Sequence, residues 1–170
     1  MALALDVLNS LDRAAFVAAL GHLFEHSPWV AEDTWPQRPF PTVPALHAAL
    51  CATMRAAPRD RQLALIRAHP DLAGRLAQQR QLTADSTREQ ASAGLDRLTD
   101  AELAEFTRLN ASYRARFGFP FIICARLNAR EAILAAMRAR VGNSAGDEFT
   151  AALGEIEKIA RLRLQDVVQE

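Results

Sequence analysis

His69 stands in the run Arg67-Ala68-His69-Pro70-Asp71-Leu72-Ala73-Gly74, and a second polar cluster, Ser86-Thr87-Arg88-Glu89-Gln90, follows it. An imidazole titrates near neutrality and can give or take a proton. Pro70 restricts the backbone of the residue before it, and a place at a helix C-terminus favours the charged ring. His69 is therefore either a helix-end ring that caps the preceding carbonyls, with Asp71 starting the next helix, or a proton-handling group. Glu89 also has two readings. Ser86-x-x-Glu89 is a capping-box pattern, and Thr87-x-x-Gln90 repeats it one residue on. Two overlapping boxes exceed what one helix start needs. The same donors and acceptors around N-terminal amides suit an anionic or carbonyl-rich ligand.

Arg163 is the third candidate. Phe149, Leu153, Ile156, Ala160 and Val167 form an apolar stripe at helical spacing, and Arg163 falls inside it while Arg161 projects off it. A guanidinium on a core face needs a partner. That partner is either an internal carboxylate or an anionic ligand that the planar fork would grip.

The remaining reactive types carry less. His22 and His26 share a helix face at i, i+4 but have no HExxH companion, and His47 reads as packed in an amphipathic helix. Cys51 and Cys124 fit no CxxC spacing, so both are expected as buried free thiols in a reducing compartment, and no metal site is expected. Ser86 lacks a G-x-S-x-G context, and there is no GxGxxG or Walker sequence.

Twenty basic and twenty acidic side chains cancel, which excludes a nucleic-acid or anionic-membrane binder driven by net charge. Half of the 170 residues are hydrophobic, enough for one folded domain over 1–170. The N-terminal stretch meets Asp6 before any long apolar region develops, and no run approaches membrane-spanning length. The C-terminus carries no Ser-Lys-Leu address, so the expected compartment is the cytoplasm.

The elements that must position these residues follow a helical period nearly throughout. Helices are expected over 11–24 with Ser10 as cap, over 43–57, from Pro58 to before Pro70, and over 72–81. Five prolines between Pro28 and Pro44 break up a segment that Trp29 and Trp35 should pack down. Thr99-Asp100-Ala101-Glu102 is a capping box for a helix that Gly118 stops near Phe117. Asn128 should cap another helix closing at Gly142, and a last helix should run over about 147–168. Gly118-Phe119-Pro120-Phe121-Ile122-Ile123-Cys124-Ala125 is the one extended-looking run, read as a short buried strand-like segment near 119–125. The fold class is all-α, a single compact multi-helix domain.

Several strings, in their order and spacing, go further. Ser27-Pro28-Trp29-Val30-Ala31-Glu32 with Arg38-Pro39-Phe40, His69-Pro70-Asp71-Leu72, Leu82-Thr83 with Ser86, Glu89-Gln90 and Ala93-Gly94-Leu95 make up the first part. Leu109-Asn110 with Tyr113, Phe117-Gly118-Phe119-Pro120-Phe121, and Glu155-Ile156 through Leu162-Arg163-Leu164 complete it. Over nearly the whole length the chain resembles the 2-oxo-4-hydroxy-4-carboxy-5-ureidoimidazoline (OHCU) decarboxylases, which form (S)-allantoin and CO2 in the last step from urate. The resemblance implies an all-helical, cofactor-free and homodimeric enzyme acting on a small ureidoimidazoline. It assigns the catalytic histidine to His69, the substrate-contacting glutamate to Glu89 and the arginine to Arg163. It also implies substrate contacts at Pro70, at Ser86, Thr87, Arg88, Glu89 and Gln90, and along the backbone of Phe121, Ile122, Ile123, Cys124 and Ala125. Two rival expectations stand beside it: a non-catalytic helical interaction module, and an enzyme acting on a different ureide.

Overall fold

Apolar residues at i, i+3 and i+4 spacing dictate helix after helix, and a computed structural model describes residues 2–74, 77 and 79–170. The chain divides into two compact units, Met1–Ala68 with Glu157–Glu170, and His69–Ile156. The architecture is helical, with strand pairing among the described residues confined to two short termini.

The first unit starts with β1 (Leu3–Ala4), which pairs in parallel with β2 (Val168–Gln169). Next come α1 (Leu5–Ser10) and α2 (Arg13–Leu20). The expected single helix from 11 is thus two helices, because Asp12, not Ser10, caps α2: its carboxylate accepts from the Ala15 amide at 2.8 Å. Ser10 instead donates to the Val7 carbonyl. Since α2 ends at Leu20, His22 and His26 share no helix face. The proline-rich segment holds α3 (Trp29–Thr34) and a 3-10 turn, Trp35–Gln37. Both tryptophans are stacked by arginines, Arg61 over Trp29 and Arg38 over Trp35. Then follow α4 (Val43–Ala56), which buries Leu46, Leu50 and Met54, and α5 (Arg59–Ala68), which buries Leu65 and Ile66. His47 directs Nε2 at the Glu157 carbonyl, 2.9 Å away. Cys51 is only half-buried, yet burial and the Glu157 charge push its thiol up to about 12, so it stays protonated.

The second unit opens with a turn after α5 and continues with α6 (Ala84–Ser92) and α7 (Asp100–Phe117). The helix expected over 72–81 includes positions 75, 76 and 78, which lie outside the described residues. At α7 the capping box forms as read: Thr99 Oγ1 accepts from the Glu102 amide and Glu102 accepts from the Thr99 amide. Gly118 ends the helix with φ 74°, a left-handed conformation in which a side chain is strained. The run after it is buried as expected, but it finds no strand partner among the described residues and passes into a 3-10 turn, Ala125–Leu127. After it come α8 (Arg130–Arg140) and α9 (Ala145–Val167). Asn128 does not cap α8; its amide donates to the Cys124 carbonyl at 2.9 Å.

Tyr113, Phe117, Phe119, Phe121 and Phe149 cluster with ring centroids 4.5–6.4 Å apart, forming the aromatic core of this unit. A fully buried carboxylate, Glu148, sits beside them. It accepts hydrogen bonds from the Tyr113 hydroxyl, from Arg140 Nη2 at 2.9 Å and from Asn143 at 2.8 Å. Burial opposes its charge, but the bonds from Arg140, Tyr113 and Asn143 outweigh that and hold its pKa below the ordinary value.

A depressed pKa means that Glu148 stabilises the fold above the ordinary carboxylate pKa and loses that contribution as pH falls through the folded value. Glu148→Gln is therefore expected to lose on the order of 3 kcal/mol at neutral pH, since it takes the carboxylate charge from the half-buried Arg140. Urea unfolding at stepped pH checks this. The gap between wild type and variant should narrow as pH drops below about 4.5, the ordinary value. A gap that stays constant down to pH 3 refutes it.

Candidate functional site

Geometry first removes the capping reading of Glu89. Helix α6 starts at Ala84 and its cap is Thr83, whose hydroxyl accepts from the Ser86 amide at 3.2 Å. Neither overlapping box forms, because Ser86 and Thr87 already lie inside the helix. The Thr87 amide bonds the Thr83 carbonyl, so these amides are occupied by their own helix start. Glu89 thus sits a full turn beyond the position that would reach back to a cap.

The turn after His69 is tied down by three side chains. Gln90 accepts from the Ala73 amide at 2.9 Å and donates to the Asp71 carbonyl at 3.4 Å. Asn110 on α7 donates to the Leu72 carbonyl at 2.9 Å. Asp71 does not act as a helix cap; Arg114 Nε reaches its two carboxylate oxygens at 2.8 and 3.1 Å. His69 itself is buried directly past the end of α5, and Pro70 is half-buried. These bonds hold the turn that follows His69 against α6 and α7.

The third part is the backbone of 121–125. Helix α6 packs on the 3-10 turn that begins at Ala125. Arg140 Nη1 donates to the Ile122 carbonyl at 2.9 Å, with its guanidinium 4.3 Å from the Phe121 ring centroid. Glu155 on α9 accepts from the Cys124 amide at 2.8 Å. Burial pushes the Cys124 thiol up, and the charges of Glu155 and then Glu89 add to the shift. Both carboxylates are therefore within electrostatic reach of Cys124.

The second unit thus holds His69, Pro70, Ser86, Thr87, Arg88, Glu89, Gln90 and Phe121–Ala125, with α6 bonded to the turn after Pro70 and packed on the 3-10 turn at Ala125. Within α6 the roles separate. Ser86 and Gln90 are buried, Glu89 is half-buried, and Thr87 is exposed. Arg88 is exposed and pairs with Asp85 on its own helix. A cavity of about 570 Å³ opens on the side of α6 carrying Thr87, Gln90 and Ala91, and Arg80 and Asp96 supply charge to its wall.

Arg163 belongs to the first unit, and its core-face position is as read: it is 3% exposed and paired at 3.0 Å with Glu25, itself 2% exposed. Its Nη1 also donates to the His22 carbonyl at 3.2 Å. The internal carboxylate is therefore real. Glu25, Arg140, Glu148 and Glu155 are the polar residues that reading the sequence missed. A signal for two of them existed: Glu148 and Glu155 lie seven apart, on the face of α9 that also carries Ala152 and Ile159.

The OHCU decarboxylase family profile matches residues 9–165. The chain belongs to the OHCU decarboxylase family. It is 46% identical over 164 residues to the 2-oxo-4-hydroxy-4-carboxy-5-ureidoimidazoline decarboxylase of Haloferax volcanii, covering 96% of this chain and 95% of that one. To the mouse (Mus musculus) protein of the same name it is 42% identical over 161 residues, covering 95% and 90%. Among solved structures, (S)-allantoin synthase superposes with a TM-score of 0.78 at 32% identity; 98% of this chain covers 54% of that one, about half its length. An OHCU decarboxylase crystallised in the presence of (S)-allantoin shares the fold, with a TM-score of 0.69, 22% identity and coverage of 92% and 97%.

The buried pair sets a stability test for this family member. Arg163→Met alone should cost about 3–5 kcal/mol, because it strands the Glu25 carboxylate in the core. Arg163→Met/Glu25→Leu should recover most of that loss in guanidinium unfolding. A double variant no more stable than the single one would show that the pair does not govern the loss.

Proposed function

We propose that this chain is a carboxy-lyase that decarboxylates 2-oxo-4-hydroxy-4-carboxy-5-ureidoimidazoline to allantoin in urate degradation. The observation that carries the reading is full-length similarity: 46% identity over 164 residues, spanning 96% of this chain and 95% of a relative bearing that name. The site supports it with a buried imidazole, a carboxylate set inside a helix rather than at its cap and a run of backbone, all belonging to one unit. Residues 1–170 act as one catalytic domain of this family.

The chemistry needs no more than these groups. In the substrate, the carbon that bears the carboxylate also bears a hydroxyl and adjoins the ring C=N. When the carbon–carboxylate bond breaks, CO2 leaves neutral, its electron pair forms a double bond to the ureido-bearing carbon, and the C=N pair moves onto the ring nitrogen, which takes up a proton to give an enol. Ketonisation then releases the hydroxyl proton and places a proton on the carbon carrying the ureido group. His69 is the acid/base of these transfers. Glu89 accepts hydrogen bonds from ring or ureido N–H groups and orients the ligand. Arg163 binds carbonyl or anionic oxygen through its fork. Pro70, the Ser86–Gln90 segment and the backbone of Phe121–Ala125 complete the contacts. The enzyme uses no cofactor, because the ring itself takes up the electron pair. It delivers the proton to one face, forming (S)-allantoin, and works as a cytoplasmic homodimer.

Substrate generated in situ from urate by upstream enzymes tests the reading. CO2 release and allantoin chirality are followed against the uncatalysed decay. Wild type should exceed that background with an excess of the S isomer, and a rate no higher than background refutes the activity. His69→Asn should lower turnover by about 10²–10⁴-fold with the fold retained. If it matches wild type, the acid/base role fails.

A further inference from the structure

The backbone of Ile122–Cys124 is held at two successive peptide groups, and the gripping side chains come from different helices. Arg140 on α8 takes the Ile122 carbonyl at 2.9 Å, and Glu155 on α9 takes the Cys124 amide at 2.8 Å. A peptide group is planar and trans, so its N–H and C=O point in opposite directions. Fixing the Ile122 carbonyl therefore aims the Ile123 N–H away from Arg140. By the same rule, fixing the Cys124 amide aims the Ile123 carbonyl away from Glu155. Among the described residues none bonds the main chain of Ile123, although this residue is buried. A buried carbonyl left by the protein is one that a donor-rich ligand can use.

We propose that Glu155 is a positioning residue for turnover, aiming the Ile123 carbonyl at a substrate N–H through the Ile123–Cys124 peptide. This rests on the reading above, in which 121–125 contacts the substrate. The Cys124 carbonyl is held separately by the Asn128 amide and the Leu127 N–H, at 2.9 and 3.1 Å. The Cys124–Ala125 peptide is thus anchored without Glu155. Losing Glu155 releases one peptide plane rather than the whole segment.

Three variants separate acceptor, charge and reach. Glu155→Gln keeps an acceptor oxygen at the same length. Glu155→Asp keeps the charge but falls short by one methylene. Glu155→Ala has neither. One hydrogen bond to the substrate corresponds to about tenfold in affinity. Glu155→Ala and Glu155→Asp should therefore raise KM about tenfold and lower the melting temperature by the few degrees that one stranded Cys124 N–H costs, the protein staying folded at the assay temperature, while Glu155→Gln stays near wild type in both. The second readout is the ¹³C shift of the Ile123 carbonyl on titration with (S)-allantoin: it should move in wild type and Glu155→Gln, and barely in Glu155→Asp. If Glu155→Ala does not fold, the Asp–Gln pair carries the comparison. Wild-type KM and carbonyl response in Glu155→Asp overturn the proposal, as does a Gln variant as impaired as the Asp one. A wild-type protein that turns over but shows no carbonyl response overturns the backbone-contact reading and this inference with it. A wild-type protein without turnover overturns the activity itself.

Discussion

A buried stretch of chain that joins no sheet must still satisfy its backbone, and much of the second unit answers to that constraint. Phe119 to Cys124 is buried at nearly every position, and the ladder that would normally pair such a run is missing among the described residues. Each buried polar group left unmet costs about 1–3 kcal/mol. Side chains take over instead: Arg140 at Ile122, Glu155 at Cys124 N–H and Asn128 at Cys124 C=O. Arg140 in turn needs its charge balanced where it is 15% exposed, so Glu148 is recruited, and Tyr113 and Asn143 complete the carboxylate's bonds. The aromatic cluster supplies the dry surroundings in which these bonds gain strength.

The same logic works in the first unit around Arg163. A guanidinium presents several N–H groups in a fixed fork, so it can bond a carboxylate and main-chain carbonyls together. Arg163 does this with Glu25 and His22, and Arg140 does it with Glu148 and Ile122. Lysine, a point charge on a flexible stem, would not hold two differently oriented acceptors as firmly. In both units, the arginine links a carboxylate to a loop that lacks regular secondary structure. The observed pairing is compatible with the substrate binding proposed for Arg163, because a carboxylate partner orients the fork.

Helix existence was legible from apolar spacing, and so were the Thr99 capping box, the Gly118 stop and the burial of Arg163, since each depends on local geometry or period. What could not be read depends on pairs distant in sequence. Glu25 and Arg163 are separated by most of the chain, and Leu3 with Val168 by nearly all of it. Asn128 and Asp71 look like caps locally, yet Cys124 and Arg114 claim their side chains. At α6 the local signal was degenerate: Thr83, Ser86 and Thr87 are all competent caps, and propensity alone does not choose among them. The buried run of 119–125 was recognised as extended, but a lone sequence cannot say whether a strand partner exists.

The choice of Thr83 as cap has an electrostatic consequence for the proposed site. Had Ser86 capped α6, the Glu89 carboxylate would have turned back to its own helix start and had its charge met there. In the observed frame its charge is felt at Cys124, as is that of Glu155. Two like charges 4 Å apart cost about 4 kcal/mol at an effective dielectric near 20. On the proposed reading, a substrate carboxylate set against these two charges would be repelled at about that cost. The ureido N–H groups of the proposed substrate suit this side instead, because Glu89 supplies an acceptor there. In the proposed reading the leaving carboxylate therefore lies away from the two glutamates. That orientation would leave proton handling to a group outside the acidic side, the role proposed for His69.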